Sequence, residues 1–160
     1  MVTKLPATIF VIGVLSAGVL SSYAEEPHVP PQDVKLSPDL LTLLRAEMHE
    51  IAGGVQGIVL SLATADWKAI QETSMKIRAS YIMEKKLTPS QAKELEQVLP
   101  EEFKQLDAEF HQRAERLGLA AAARDPELVA FQYSRLVESC ALCHSAYARS
   151  LFPGFAPSAE

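Results

Sequence analysis

Apolar residues recur along most of this chain at alternating intervals of three and four, the rhythm of a helix that buries one face. The longest seam is Leu41, Leu44, Met48, Ile51, Val55, Ile58 and Leu62. It opens at Ser37-Pro38-Asp39, where Ser is a good N-cap, Pro fits the first helical position and Asp suits the positive end of the dipole. A second seam, Trp67, Ile70, Ser74, Ile77 and Tyr81, starts near Thr64 or Asp66. A third runs from Pro100 through Phe103, Leu106, Phe110, Ala114, Leu117 and Ala121. The fourth follows Asp125-Pro126 through Val129, Tyr133, Leu136, Cys140, Cys143 and Tyr147. Between the second and third, Thr88-Pro89-Ser90-Gln91 has the pattern of a capping box and predicts a short extra helix that ends or kinks at Pro100. Strand alternation is scarce. Four long helices with short connections predict an all-α fold, an antiparallel four-helix bundle with a short extra helix between helices 2 and 3.

Three glycines (Gly53, Gly54 and Gly57) interrupt the first helix. Each costs about 1 kcal/mol against Ala in a helix interior. Such a cost predicts a close approach to that backbone by a neighbouring helix, a flat cofactor or a second subunit. A homodimer is therefore among the expected assemblies.

The N-terminus changes the picture of where the bundle works. Lys4 is the only charge before Glu25, and an apolar run from Ile9 to Leu20 follows it. Ser22-Tyr23-Ala24 places small residues where a signal peptidase reads, so residues 1–24 read as a secretory signal cut after Ala24. The run is short for a membrane anchor and is broken by Gly13, Ser16 and Gly18. Residues 25–36, with three prolines, read as an extended leader, residues 37–152 as the domain and 153–160 as a tail. The 160 residues suffice for one domain. Cleavage removes one Lys and no acid, taking the formal charge from -5 to -6 with His neutral. So acidic a chain repels nucleic acid, and no other stretch is apolar enough to hold it in a membrane after cleavage.

The chain has only two cysteines, and both fall in Cys140-Ala141-Leu142-Cys143-His144. This is the C-x-x-C-H pattern of covalent c-type haem attachment. Thiols three apart on a helix lie on one side of it, where they can add to the two vinyl groups on a porphyrin edge. The adjacent His144 then reaches the iron as proximal ligand. Rival readings are weaker. A thioredoxin-like pair sits at a helix N-terminus in an αβ pattern, whereas this one comes late in a helix of an all-α chain. Structural zinc needs four ligands, and His28, His49 and His111 have no finger-like spacing. One covalent haem c is the expected cofactor.

The other axial position decides the function. A strong sixth ligand makes an electron carrier, and an empty apolar site makes a gas binder. Met48, on the inward seam of the first helix, is the leading candidate, against the plainer reading that it fills core. Met75 and Met83 are weaker candidates. His49 lies about 100° round the helix from Met48 and is expected at the surface. His111 is expected to be solvated or satisfied by a partner. Arg45 stands three residues before Met48 and is a candidate contact for a haem propionate, with a solvated arginine as the alternative.

These features resemble the class II c-type cytochromes, that is, cytochrome c′ and its low-spin relatives. The likeness rests on a C-x-x-C-H motif near the C-terminus, Tyr147 three residues after the His, "RAEM" in the first helix, "PEEF" before the third and an alanine-rich end to that helix. It covers residues 37–152. The resemblance implies a periplasmic four-helix bundle holding one haem, thioethers at Cys140 and Cys143, and His144 as proximal ligand. In low-spin members a methionine on the first helix ligates iron, and Met48 falls at that place. High-spin members leave the position unligated and bind NO or CO. Two departures stand out: Ala148 intervenes between Tyr147 and Arg149, and Thr88–Leu99 lengthens the link between helices 2 and 3. Electron transfer to redox partner proteins through His144/Met48 haem is the first expectation, and five-coordinate gas binding with Met48 only packing is the alternative. No nucleophile–base constellation points to an enzyme.

Overall fold

A computed structural model describes residues 33–155. The expected signal peptide, most of the leader and the last five residues lie outside the described residues. Within them the order is α1 (Pro38–Ala63), α2 (Trp67–Arg78), α3 (Met83–Lys86), α4 (Pro89–Val98), α5 (Glu101–Ala122) and α6 (Pro126–Tyr147), with a 3-10 turn at Pro153–Phe155. No strand occurs among the described residues. The all-α bundle is therefore as expected: α1, α2, α5 and α6 are its four long members, and α3 with α4 fills the link after α2. No described helix is long and apolar enough to cross a membrane.

The local signals work as chemistry requires. Asp66 accepts from the Ala69 amide at the start of α2, and Asp125 accepts from the Leu128 amide at the start of α6. Thr88 and Gln91 form both halves of the capping box on α4. Ser37 is the exception. It occupies the N-cap of α1 but makes no side-chain bond to that helix; its amide and hydroxyl both donate to the Glu94 carboxylate of α4, at 2.7 and 2.9 Å. A bidentate carboxylate is a stronger acceptor than the hydroxyl is a cap, so the serine serves the junction between α1 and α4. The links α1–α2 and α5–α6 each turn through a left-handed residue, Ala65 and Arg124, both at φ 55°. The second seam stops sooner than its rhythm suggests, at Arg78, and Ser80 at φ 52° sends the chain off towards α3.

One end of the bundle is filled. Ile58 from α1, Ile70 and Ile77 from α2, Ala114 and Leu117 from α5, and Leu136 from α6 are almost fully buried together. Small residues let the axes close in. A methyl at Gly118 would lie 3.4 Å from both Met75 Sδ and Ser74 Cβ. The glycines of α1 divide. A methyl at Gly54 would meet Tyr81 Oη at 2.7 Å and Thr73 Cγ2 at 3.1 Å, so the neighbouring chain explains that one. Gly53 and Gly57 face open space.

The seams do not meet equally. α5 packs closely on α2 and on α6, and α1 packs on α2, but α1 touches α6 only sparsely. In the first half of α1 burial departs from the expected pattern. Residues there bury on a register one step from the expected one: Leu40 and Glu47 are buried, while Met48 keeps 37% of its surface exposed. The expectation that Met48 sits on the buried seam is thus corrected. Periodicity assumes that apolar residues win the interior, and here a carboxylate wins it through the hydrogen bonds described below.

Candidate functional site

The open end of the bundle contains a cavity of about 130 Å³. From α1 it takes Leu44, Glu47, Met48 and Ile51, and from α5 Phe103, Asp107, Phe110 and His111. Met83, Leu95 of α4 and Leu99 just after that helix close the side that the inserted link supplies. The lining is mostly apolar, with two carboxylates, two thioethers and one imidazole among it.

Helix α6 borders this end. Tyr133 Oη donates to the Val55 carbonyl at 3.3 Å, and the Val34 amide donates to the Tyr147 carbonyl at 3.2 Å. These two bonds tie α6 in an antiparallel sense to α1 and to the segment before it, while Cys140, Cys143 and His144 are not among the residues that line the cavity. The edge-on contact of Tyr147 with Phe103, at 5.1 Å between centroids, ties the end of α6 to the same face of α5 that lines the cavity.

Cys140 and Cys143 are half-buried free thiols. Burial pushes both up, and Cys143, which also feels the charge of Asp107 and of Cys140, reaches about 11. A reactive redox cysteine needs the opposite shift. The pair also sits in the last part of α6, far from its N-terminus, so the thiol–oxidoreductase reading loses its physical support. No group of three or more His, Cys, Asp or Glu that could hold a metal ion occurs among the described residues.

His144 is half-buried and its ring stacks on Phe152, with centroids 4.5 Å apart and planes 16° from parallel. Burial lowers its pKa, favouring the neutral imidazole that a metal requires. Arg45 and His49 are exposed, as expected for His49. Met75 lies against Gly118 at the filled end and is no part of the cavity. His111 is satisfied, as expected: since a carbonyl can only accept, its Nδ1 donates to Ile77 O at 2.8 Å, leaving Nε2 3.7 Å from Asp107 Oδ1.

One polar group of this end escaped the periodic reading, and another, on the expected seam, is left unsatisfied. Glu47 is 3% exposed, and its carboxylate accepts from Ser80, Tyr81, Ile82 and Met83. Nothing in the helical rhythm marks a charged residue beside a seam as an interior one; the only hint is a serine just where the second seam ends. Tyr147 Oη is buried without a hydrogen-bond partner. An orphan hydroxyl of that kind costs about 1–3 kcal/mol unless something supplies an acceptor.

The donor set fits a tethered haem. Two free thiols share one side of α6, an imidazole held towards its neutral form follows them, a buried hydroxyl awaits a partner, and an apolar cavity with two thioethers in its wall lies at the same end of the bundle. Among the comparisons with known proteins, residues 33–148 match the family model described as Cytochrome C′. No curated protein and no solved structure matches the chain.

Proposed function

The chain belongs to the cytochrome c′ family, a group with covalent haem c that carries electrons or binds gases, and on that premise we propose that it is a periplasmic electron carrier with His144 and Met48 as axial ligands. When bound, the haem supplies an iron that takes up and releases one electron. In this reading Cys140 and Cys143 hold it by thioethers, which keep it from dissociating in a dilute exported setting. His144 offers a neutral imidazole, and Phe152 limits the rotation of that ring by stacking on it. Met48 offers a thioether, which favours the ferrous state and raises the potential relative to histidine alone. Leu44, Ile51, Phe103 and Phe110 exclude water from the same side. Tyr147 would give its unpaired hydroxyl to an acceptor on the group. Redox partner proteins complete the proposal, and the exposed glycine face of α1 leaves room for a second copy of the chain.

One observation supports this reading above the rest: Met48 stands on the wall of an apolar cavity at the end of the bundle where Tyr147 of α6 packs on Phe103. The experiment is the mass and absorption spectrum of the mature chain, with Met48→Ala beside it. Haem added to the polypeptide mass, a low-spin spectrum and a sulfur-to-iron charge-transfer band in the ferric protein are expected. The variant should lose that band and bind CO readily when reduced. A specific feature favours a second reading, five-coordinate gas binding: Met48 is partly exposed beside apolar space large enough for a diatomic molecule. A high-spin spectrum that Met48→Ala leaves unchanged would select it.

A further inference from the structure

Glu47 is the only buried carboxylate among the described residues. An ionised carboxylate leaves water only when its oxygens are well supplied with donors. Here Oε1 accepts from Ser80 Oγ at 3.0 Å and from the Tyr81 amide at 2.8 Å. Oε2 accepts from the Ile82 amide at 2.5 Å and the Met83 amide at 3.2 Å. α2 has already ended at these residues and α3 is only beginning, so these amides fall at a helix start, where intrahelical partners run out. A side chain of α1 thus acts as the cap of a segment more than thirty residues further on. Its neighbour in sequence is Met48, and the last amide it holds belongs to Met83; all three residues line the cavity. With α1 touching α6 so little, this is the firmest polar attachment of the first half of α1 to the rest of the bundle.

We propose that Glu47 is the positioning residue of the cavity: by gathering the donors of Ser80–Met83 it fixes the depth of α1 over the haem and so holds the Met48 thioether at the iron. The inference rests on the reading in which Met48 is the sixth ligand. Glu47 touches neither the cofactor nor a substrate in this account; it acts through the backbone of its own helix. A glutamine at the same place keeps the size but turns one oxygen into a donor, which leaves two of the four donors without an acceptor.

The test is a CO titration of the reduced holoprotein in the wild type, Glu47→Gln, Met48→Ala and the double variant. CO must displace the sulfur, so its apparent affinity follows the fraction of molecules in which the sulfur is off the iron. Loss of two buried hydrogen bonds from the arrangement that keeps it on should tighten CO binding about tenfold. The ferric sulfur-to-iron band should weaken in parallel. In the Met48→Ala background the same Glu47→Gln change should add nothing, because the residue it positions is gone. If wild type and Met48→Ala bind CO alike, methionine ligation fails and takes this inference with it. Should those two differ while Glu47→Gln matches wild type, ligation stands and the inference alone is overturned. An undiminished Glu47→Gln effect in the Met48→Ala background overturns it as well, since Glu47 would then act elsewhere. Where Glu47→Gln yields no folded haem protein, Glu47→Asp, which keeps the charge and loses reach, is read in the same cycle by the same criteria.

Discussion

The two ends of this bundle are built from the same four helices and behave in opposite ways. At the filled end, Ile58, Leu117 and Leu136 meet across the axis, and Ala114, Ala121 and Gly118 let the backbones close in until no room is left. At the open end, Leu44, Phe103, Phe110 and two methionines stand round a cavity, and polar groups do the joining: Glu47 on Ser80–Met83, Glu94 on Ser37. A closely packed interior normally leaves few voids of this size. The contrast teaches that half the molecule is folded by its own side chains and half is shaped for something the chain must receive.

The sharpest way to break that contrast is to prevent the open end from being filled. Cys140→Ser with Cys143→Ser should abolish covalent haem altogether, read as a mature mass equal to the polypeptide and a haem that extracts into acidified organic solvent. Retention of a covalent group would sink the assignment of both cysteines. Next in size is a cavity cut into the filled end. Leu117→Ala should cost about 2–5 kcal/mol in denaturant unfolding, with the visible spectrum unchanged, because that side chain is fully buried. A spectrum altered as strongly as the stability would mean that the two ends are one cooperative site.

The smallest effect tests the glycines. Gly57→Ala should stabilise the chain by about 0.5–1 kcal/mol, since its added methyl meets nothing and helix propensity improves. Gly54→Ala should lose that gain, because its methyl would press on Tyr81 and Thr73. If Gly57→Ala destabilises instead, and does so in a concentration-dependent way, a second copy of the chain covers that face.

Much of the architecture could be read from local pattern. The Asp66 and Asp125 caps, the Thr88–Gln91 box and the prolines at helix starts act within a few residues of themselves, so their outcome needs no knowledge of the rest of the fold. The thiol pair and His144 were legible for the same reason, since their spacing along one helix is itself the signal. Ser37 and Glu47 were not. Each makes its decisive bonds to residues 33 to 57 positions away, and no local rule distinguishes a cap from a tertiary anchor or a surface glutamate from a buried one. Met48 illustrates the consequence: its periodic position marked it as core, and its neighbour's hydrogen bonds moved it to the cavity edge.

The amino-acid order by itself determined the helices, the side on which α2, α5 and α6 bury their apolar residues and the five-residue C-x-x-C-H motif, because all of these depend on contacts within one or two helical turns. Only the tertiary structure decided which end of the bundle closes, which glycine is crowded and which carboxylate goes inside. Those outcomes depend on distances between segments far apart in the chain, where burial and hydrogen bonding compete and the stronger set of partners wins.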